Sequence, residues 1–182
     1  RSLLSAALKR KQPDILLIMP DQMRGDCLSA CGHPAVQTPT LDGLAKEGVL
    51  FRRGYSTVTS CIPARYGLLT GLGPQTSGVV GYRTTRFLRR TLPGLLNTAG
   101  YSTVLVGRHM HQDKPCGYQE EHLGSTHVSN DEYDRFLQEK APETGGIKNL
   151  VKRMGLTYNY WQAAPWPLAL SLHPTEWIID RS

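Results

Sequence analysis

The chain has 182 residues, of which 40% are apolar and 20% charged, a balance typical of a globular protein with one sizeable core. No apolar run approaches the roughly 18 residues that a membrane-spanning helix requires. The formal net charge of +6 favours an anionic partner. The basic residues lack the interleaved aromatic pattern typical of nucleic-acid binding.

The N-terminal part predicts an arm, a strand, a helix and a second strand. Residues 1–13 form the arm, whose apolar stretch is too short for a complete signal peptide. The apolar run 14–19 is followed by Asp21 and predicts a buried parallel strand, whose carboxyl end is where α/β sheets place ligand sites. A single aspartate after a strand is also a common turn or helix cap. Next come a helix over 40–47 and a strand over 50–55.

The next predicted helix contains 64–69 and begins near a cysteine, in the sequence CIPARYGLLTG. The Cys61 side chain is therefore placed at or before the first helical turn, where free N–H groups and the helix dipole favour anionic ligands. Arg65 follows one turn later on the same face. An ordinary half-buried thiol is the alternative interpretation of a single cysteine.

The second half of the chain continues the alternation of helices and strands. A helix is predicted over 91–98 and a strand over 102–106, and this order implies parallel crossovers. The fold class is therefore α/β, with a mostly parallel central sheet sandwiched by helices. Residues 112–172 are predicted to be rich in loops, with a helix over 131–140, and another capped helix begins near His173.

Three segments resemble the sulfatase family. The sequence CIPARYGLLTG is similar to the family signature Cys-x-Pro-[Ser/Ala]-Arg-x-x-Leu-Leu-Thr-Gly, and the residues from Asp21 to Phe51 are similar to the family's N-terminus. The third segment, YSTVLVGRHMH at 101–111, is similar to Tyr-x-Thr-x-x-x-Gly-Lys-x-His. The resemblance implies an alkaline-phosphatase-like fold. It also implies that 14–182 form the N-terminal part of a catalytic domain, truncated before its C-terminal half.

The resemblance implies a modified nucleophile at Cys61. Family members oxidise this cysteine to formylglycine, whose hydrated aldehyde is the nucleophile, with Pro63 and Arg65 as parts of the recognition sequence for the modifying enzyme. One hydroxyl of the hydrate attacks sulfur and the other expels sulfate as the carbonyl re-forms, an exit that a serine lacks. Arg65 can offset the charge of the ionised hydrate.

A metal site is implied by the same resemblance. Asp21 matches a divalent-metal ligand of the family, Gln22 stands where many members have a second aspartate, and modified Cys61 is the third ligand. Hard oxygen donors suit Ca²⁺, Mg²⁺ or Mn²⁺, of which calcium is the expected ion. Three ligands fall short of the roughly six to eight that Ca²⁺ takes.

The third segment departs from the family pattern. Without a gap, Arg108 replaces the lysine and Met110 the histidine; with one inserted residue, His109 and His111 take those places. Alternation along an extended segment points His109 and His111 the same way, which favours the gapped alignment. His111 is then the hydrogen-bond donor to the ester oxygen and Arg108 neutralises substrate charge. A polar loop with two incidental imidazoles is the alternative, and His173 is a further substrate-binding candidate.

The implied function is hydrolysis of a sulfate ester, on a carbohydrate or another small anionic substrate, by a protein exported to the periplasm, the extracellular space or the lysosome. Sulfatases are usually more than twice this long, so a C-terminal polypeptide of the same protein is expected as a partner. It would carry the remaining metal ligands and a further histidine and lysine. Gln22 and the missing lysine favour the alternative of a phosphate or phosphonate ester hydrolase. A non-catalytic fragment that binds anions or a partner is the third possibility.

Two further groups of residues, three cysteines and four aromatic side chains, lie outside the implied catalytic centre. The cysteines outside the signature, Cys27, Cys31 and Cys116, are predicted to be free thiols, because Cys27 and Cys31 are spaced for a bridge only if that stretch is helical. Their spacing also resembles no zinc site. The four aromatic side chains either line a sugar-binding cleft or pack in the core; they are Tyr158, Tyr160, Trp161 and Trp166.

Overall fold

The computed structural model describes residues 12–82, 90–108, 116–126, 128–157 and 161–182. The chain divides into two compact units, Arg1–Tyr55 and Ser56–Ser182. Within the described ranges, no helix is both long and apolar enough to cross a membrane.

The first unit contains helix α1 (Pro39–Glu47) and a short 3₁₀ helix, Ser29–Cys31. The two are joined by hydrogen bonds to the carboxylate of Asp42, which accepts from the Ser29 hydroxyl (2.7 Å) and the Ala30 amide (2.9 Å). The Ser29 hydroxyl also accepts from the Thr38 amide (2.8 Å). The predicted helix over 40–47 is confirmed, and a proline at its first position suits the start of a helix because no N–H is lost from the hydrogen-bond pattern.

The two strands predicted for the first unit are wrong. Residues 14–19 and 50–55 form neither strand nor helix, and most of their apolar side chains are exposed, with Leu16 at 79% and Phe51 at 80%. A strand exists only where a neighbouring backbone accepts and donates its hydrogen bonds. An apolar run supplies the propensity for a strand but not that neighbour.

The second unit contains a parallel pair of strands, β1 (Val104–Gly107) and β2 (Glu120–Leu123), with Val104 opposite Glu120. The helices described in this unit are α2 (Cys61–Thr70), α3 (Pro74–Ser77), α4 (Leu92–Thr98), α5 (Glu132–Lys140), α6 (Ile147–Arg153) and α7 (Pro174–Ile179). Two 3₁₀ helices, Pro142–Thr144 and Leu170–Leu172, lie between them in the chain. The helices predicted over 91–98 and 131–140 and the strand over 102–106 are confirmed within one or two residues.

A polar network fastens α4 to the segment that leads into β2. The Thr91 hydroxyl donates to the Cys116 carbonyl and the Asn97 amide donates to the Gly117 carbonyl, both at 2.7 Å. Asn97 in turn accepts from the Thr103 hydroxyl just before β1 (2.7 Å). Gly117 has a φ of 98°, and a Cβ there would fall on the Thr91 hydroxyl. These bonds hold β2 in register beside β1.

The main apolar core joins α5, α6 and α7. Tyr133, Leu137 and Ile147 are fully buried and Trp177 is 1% exposed, and Trp177 meets the Tyr133 ring edge-on at 5.8 Å. The Asp134 carboxylate accepts from the Ile147 amide (2.7 Å) and so starts α6. The prediction that 112–172 is mostly loop missed β2 and α6, because each depends on these distant partners.

Candidate active site around helix α2

Helix α2 begins at Cys61, as the sequence predicts for the first turn. Ser60 precedes it in extended conformation, and its carbonyl accepts the first helical hydrogen bond, from Ala64 N (3.0 Å). The Cys61 side chain is half-buried. Cys27, Cys31 and Cys116 form no disulfide, as predicted. Cys61 therefore lies at the positive end of the helix dipole, where the free N–H groups favour a negative charge.

The rest of the signature ends this helix. The Thr70 hydroxyl donates to the Tyr66 carbonyl (2.7 Å), and Gly71 adopts the left-handed conformation (φ 70°) while its amide bonds to the Gly67 carbonyl (2.8 Å). Glycine is the residue that tolerates this C-terminal position at least cost. The Thr-Gly pair of the signature is thus explained by helix termination.

Packing determines where α2 lies. Ile62 and Tyr66 pack with Val79, and Leu69 packs against Cys116, which follows α4 in the chain. Arg65 is only 7% exposed, one turn after Cys61. Its charge therefore lies in a region of low dielectric, where it acts more strongly on a nearby anion than it would in water.

Arg108 follows β1 directly and is half-buried. Gly107 before it has a φ of 103°, its carbonyl accepts from the Gly124 amide (2.9 Å), and a Cβ there would lie 3.3 Å from Ile178 Cδ1. Arg108 thus stands at the carboxyl end of a parallel strand, the edge at which α/β sheets carry their ligand sites. His109 and His111 lie outside the described residues.

Asp21 and Gln22 lie in a turn of the first unit and are exposed. Gln22 has a φ of 57°, a conformation that costs a non-glycine residue about 1 to 2 kcal/mol. The expected strand before Asp21 is absent, so the turn and not a strand end carries these side chains. Their carboxylate and amide oxygens fit a hard divalent cation in kind. Among the described residues, no group of three or more His, Cys, Asp and Glu side chains is placed to hold a metal.

His173 caps helix α7. Its Nδ1 accepts from the Thr175 amide (3.1 Å), and its ring meets Trp166 edge-on at 5.0 Å. The capped start of α7 is confirmed, and substrate binding by His173 stays a prediction.

The aromatic side chains divide between core and surface. Trp166 packs against the main core and donates from Nε1 to the Ala169 carbonyl (3.2 Å), whereas Trp161 is 82% exposed. Tyr158 and Tyr160 lie outside the described residues. The core interpretation is therefore right for Trp166 and wrong for Trp161.

One cluster of titratable groups was not predicted from the sequence. His122 on β2 lies between two carboxylates, with Nε2 2.8 Å from Glu120 and Nδ1 3.1 Å from Glu132. Carboxylates only accept hydrogen bonds, so His122 bonds to both of them when both of its ring nitrogens carry a proton. The hydrogen bonds to Glu132 and then to Glu120 raise the pKa of His122 above its usual value. The Glu-x-His spacing, which places both side chains on one strand face, was the signal that could have indicated this pair.

Residues 13–155 match the family model described as Sulfatase. The chain belongs to the sulfatase family. It is 34% identical to an arylsulfatase of Clostridium perfringens, in an alignment covering 94% of this chain and 39% of that protein. It is also 34% identical to an N-acetylgalactosamine-6-sulfatase of Canis lupus familiaris, over 76% of this chain and 30% of that protein. The chain therefore spans two fifths or less of the length of these two relatives.

A solved structure confirms the fold class. The chain superposes on a phosphonate monoester hydrolase of Agrobacterium radiobacter with a TM-score of 0.72 and 26% identity, covering 93% of this chain and 37% of the other. The parallel pairing of β1 and β2 agrees with this α/β class. In this sulfatase chain, Cys61 and Arg65 occupy one helix of the second unit, and Asp21 and Gln22 lie in the first unit.

Proposed function

We propose that this chain is the N-terminal part of a formylglycine-dependent sulfatase that hydrolyses a sulfate ester. The proposal is carried by the first five residues of α2. They place a half-buried cysteine at the helix start, a proline in the first turn and a nearly buried arginine one turn later. This arrangement suits a nucleophile that bears negative charge, because both the helix dipole and the guanidinium stabilise it.

Cys61 is proposed as the residue converted to formylglycine, which when hydrated supplies the attacking hydroxyl. Arg65 would offset the charge of that group from the same helix face. Arg108 would neutralise the sulfate charge from the end of β1, and His109 and His111 would donate protons or hydrogen bonds to the ester and leaving oxygens. His173 is proposed as a substrate contact.

A divalent metal, calcium in the first instance, is proposed as the cofactor. Asp21 and Gln22 would supply two of its oxygen ligands, and modified Cys61 a third. When bound, the metal would polarise the sulfate and lower the pKa of the nucleophile. The amide of Gln22 brings no charge, so the net negative charge of this donor set is smaller than that of an aspartate pair.

A sulfated saccharide or a small aryl sulfate is the proposed substrate class, which the names of the two relatives support. A C-terminal polypeptide of the same protein is the proposed partner, because it would complete the metal shell. Export to the periplasm, the extracellular space or the lysosome is proposed for the whole protein.

The first test is peptide mass spectrometry of the protein from its native host, combined with turnover of an aryl sulfate. We expect an aldehyde in place of the thiol at residue 61 and metal-dependent release of sulfate. The variant Cys61→Ala should lose about a thousandfold or more in turnover, while Cys31→Ala, which changes a half-buried thiol outside the signature, should keep it. An unmodified Cys61 in an active enzyme would refute the proposal.

Phosphonate ester hydrolysis is the second candidate. The TM-score of 0.72 with a phosphonate monoester hydrolase favours it, as does the presence of Gln22 in place of an aspartate. Turnover of an aryl sulfate and of an aryl phosphonate monoester by one preparation distinguishes the two. A kcat/KM that is higher for the phosphonate would replace the sulfatase proposal with this one.

A further inference from the structure

Helix α6 and the 3₁₀ helix before it form a cleft of about 490 Å³, open to solvent. Its lining residues are Thr144, Asn149, Lys152 and Arg153. The cleft is shallow, so a ligand would lie along it and would not be enclosed. All four residues belong to the unit that also contains α2, but α6 packs in a different apolar cluster from Ile62 and Tyr66 of α2.

The walls of this cleft are held in place by hydrogen bonds. The Arg153 guanidinium donates to the Thr144 carbonyl (2.7 Å), and Asn149 donates to the Gly145 carbonyl (2.7 Å). At the other end of α6, the buried Asp134 accepts from the Ile147 amide. Because these bonds tie both ends of α6 to its neighbours, the cleft is present before any ligand binds.

The exposed face of α6 is strongly basic. Ile147 and Leu150 face the core, whereas Lys148, Lys152 and Arg153 are exposed. Lys148 and Lys152 are one turn apart and therefore share a face. In the described part of the chain, neither of these two ammonium groups forms a salt bridge. No acidic residue occurs between Glu143 and Glu176 in the sequence.

The helix dipole accounts for only some of the basic residues of α6. Lys152 and Arg153 end the helix, where cations stabilise the negative end of the dipole. Lys148 is the second residue of α6, where a cation opposes the dipole. Stabilisation of the helix therefore does not account for the charge of Lys148.

On these observations we propose that the cleft, together with Lys148 beside it on α6, binds a sulfated saccharide chain at a second site, away from the ester that is cleaved. This inference rests on the proposed function, because it assumes that the sulfate ester cleaved by the protein belongs to a sulfated polysaccharide. The ammonium groups and guanidinium would bind sulfate groups, and Asn149 would bind sugar hydroxyls. An open cleft suits a polymer because the chain can continue beyond both ends.

The test measures the affinity of the full-length protein for a sulfated dextran oligosaccharide, with unsulfated dextran of equal length as the ligand control. The variant Lys148→Glu/Lys152→Glu should raise the Kd about tenfold, and binding should weaken with salt. The double variant Lys46→Glu/Lys140→Glu changes net charge equally at exposed positions on α1 and α5 and should leave the Kd within about twofold. Thermal unfolding of both variants checks that each is folded.

Equal weakening by both double variants would show general attraction to a basic protein and overturn the proposal, as would no weakening by either. Binding of unsulfated dextran with equal affinity would overturn it as well. Turnover of a small aryl sulfate separates this test from that of the proposed function. If the wild type turns over the aryl sulfate and the Lys148/Lys152 variant binds sulfated dextran normally, only the second site is refuted. If the wild type does not turn over the aryl sulfate, the proposed function fails.

Discussion

In the first unit, hydrogen bonds to Asp42 hold the 3₁₀ helix against α1, and no described residue of that unit is buried. In the second unit, Tyr133, Leu137 and Trp177 are almost completely excluded from water. The first unit is therefore ordered mainly by local polar contacts, and the second by apolar contacts between residues far apart in the sequence. Substitutions that remove polar atoms should therefore destabilise the first unit, and substitutions that remove apolar volume should destabilise the second.

The largest effect is expected in the apolar core. Trp177→Ala removes a side chain that is 1% exposed and packs on Tyr133, so the free energy of unfolding of the second unit should fall by about 3 to 5 kcal/mol. Trp161→Ala, at a side chain that is 82% exposed, should change it by about 0.5 kcal/mol or less. Denaturant unfolding measures both, and similar values for the two variants would contradict the comparison.

A smaller effect is expected where the second unit also depends on polar contacts. Gly117→Ala places a Cβ on the Thr91 hydroxyl and 3.0 Å from Gly94 N, at a φ of 98°. The strain and the clash together should cost about 2 to 4 kcal/mol in denaturant unfolding. Gly54→Ala, where a Cβ meets nothing within 4 Å, is the control. Equal stability of the two variants would show that the network around Thr91 contributes little.

A still smaller effect is expected in the first unit. Ser29→Ala removes the donor to Asp42 and the acceptor for the Thr38 amide, and should lower stability by about 1 to 2 kcal/mol. Thr40→Ala, at an exposed position of α1, should leave stability nearly unchanged. Hydrogen exchange of the α1 amides measures the difference, and a loss of protection spread into α5 would contradict local ordering.

The smallest effect depends on pH. The raised pKa of His122 means that its bonds to Glu120 and Glu132 stabilise the folded state fully below the unfolded pKa of about 6.5, and that this stabilisation disappears as pH rises through the folded pKa. His122→Gln should therefore lower the Tm slightly near pH 5.5 and not at all well above the folded pKa. A difference in Tm between wild type and His122→Gln that increases with pH would contradict this prediction.

Helices were predictable here because their ends are encoded locally. Thr91 and Asp131 accept hydrogen bonds from amides three residues on, and both are residue types that favour this position. Strands were less predictable, because the sequence of an apolar segment does not show which other segment it will pair with. Residues 14–19 have strand-like composition and no pairing, whereas β2 is the polar sequence Glu-Glu-His-Leu and pairs fully with β1.

In the candidate site, too, features encoded locally were predictable, and features that depend on packing with distant residues were not. The placement of Cys61 and Arg65 on one helix follows from a proline in the first turn and a glycine after the last, so the sequence was sufficient. The burial of Arg65 to 7% exposure depends on how α2 packs in the folded unit and could not be read from spacing. The salt-bridged His122 was missed because its partner Glu132 lies ten residues away on another element.

The left-handed backbone at Gln22 has a consequence for how this protein could be improved by engineering. Glycine at that position would remove the conformational cost and make the turn easier to form, but it would also remove the amide oxygen. Selection for thermal stability alone would therefore favour loss of a proposed metal ligand. Residue 22 is a place where stability and activity are expected to compete directly.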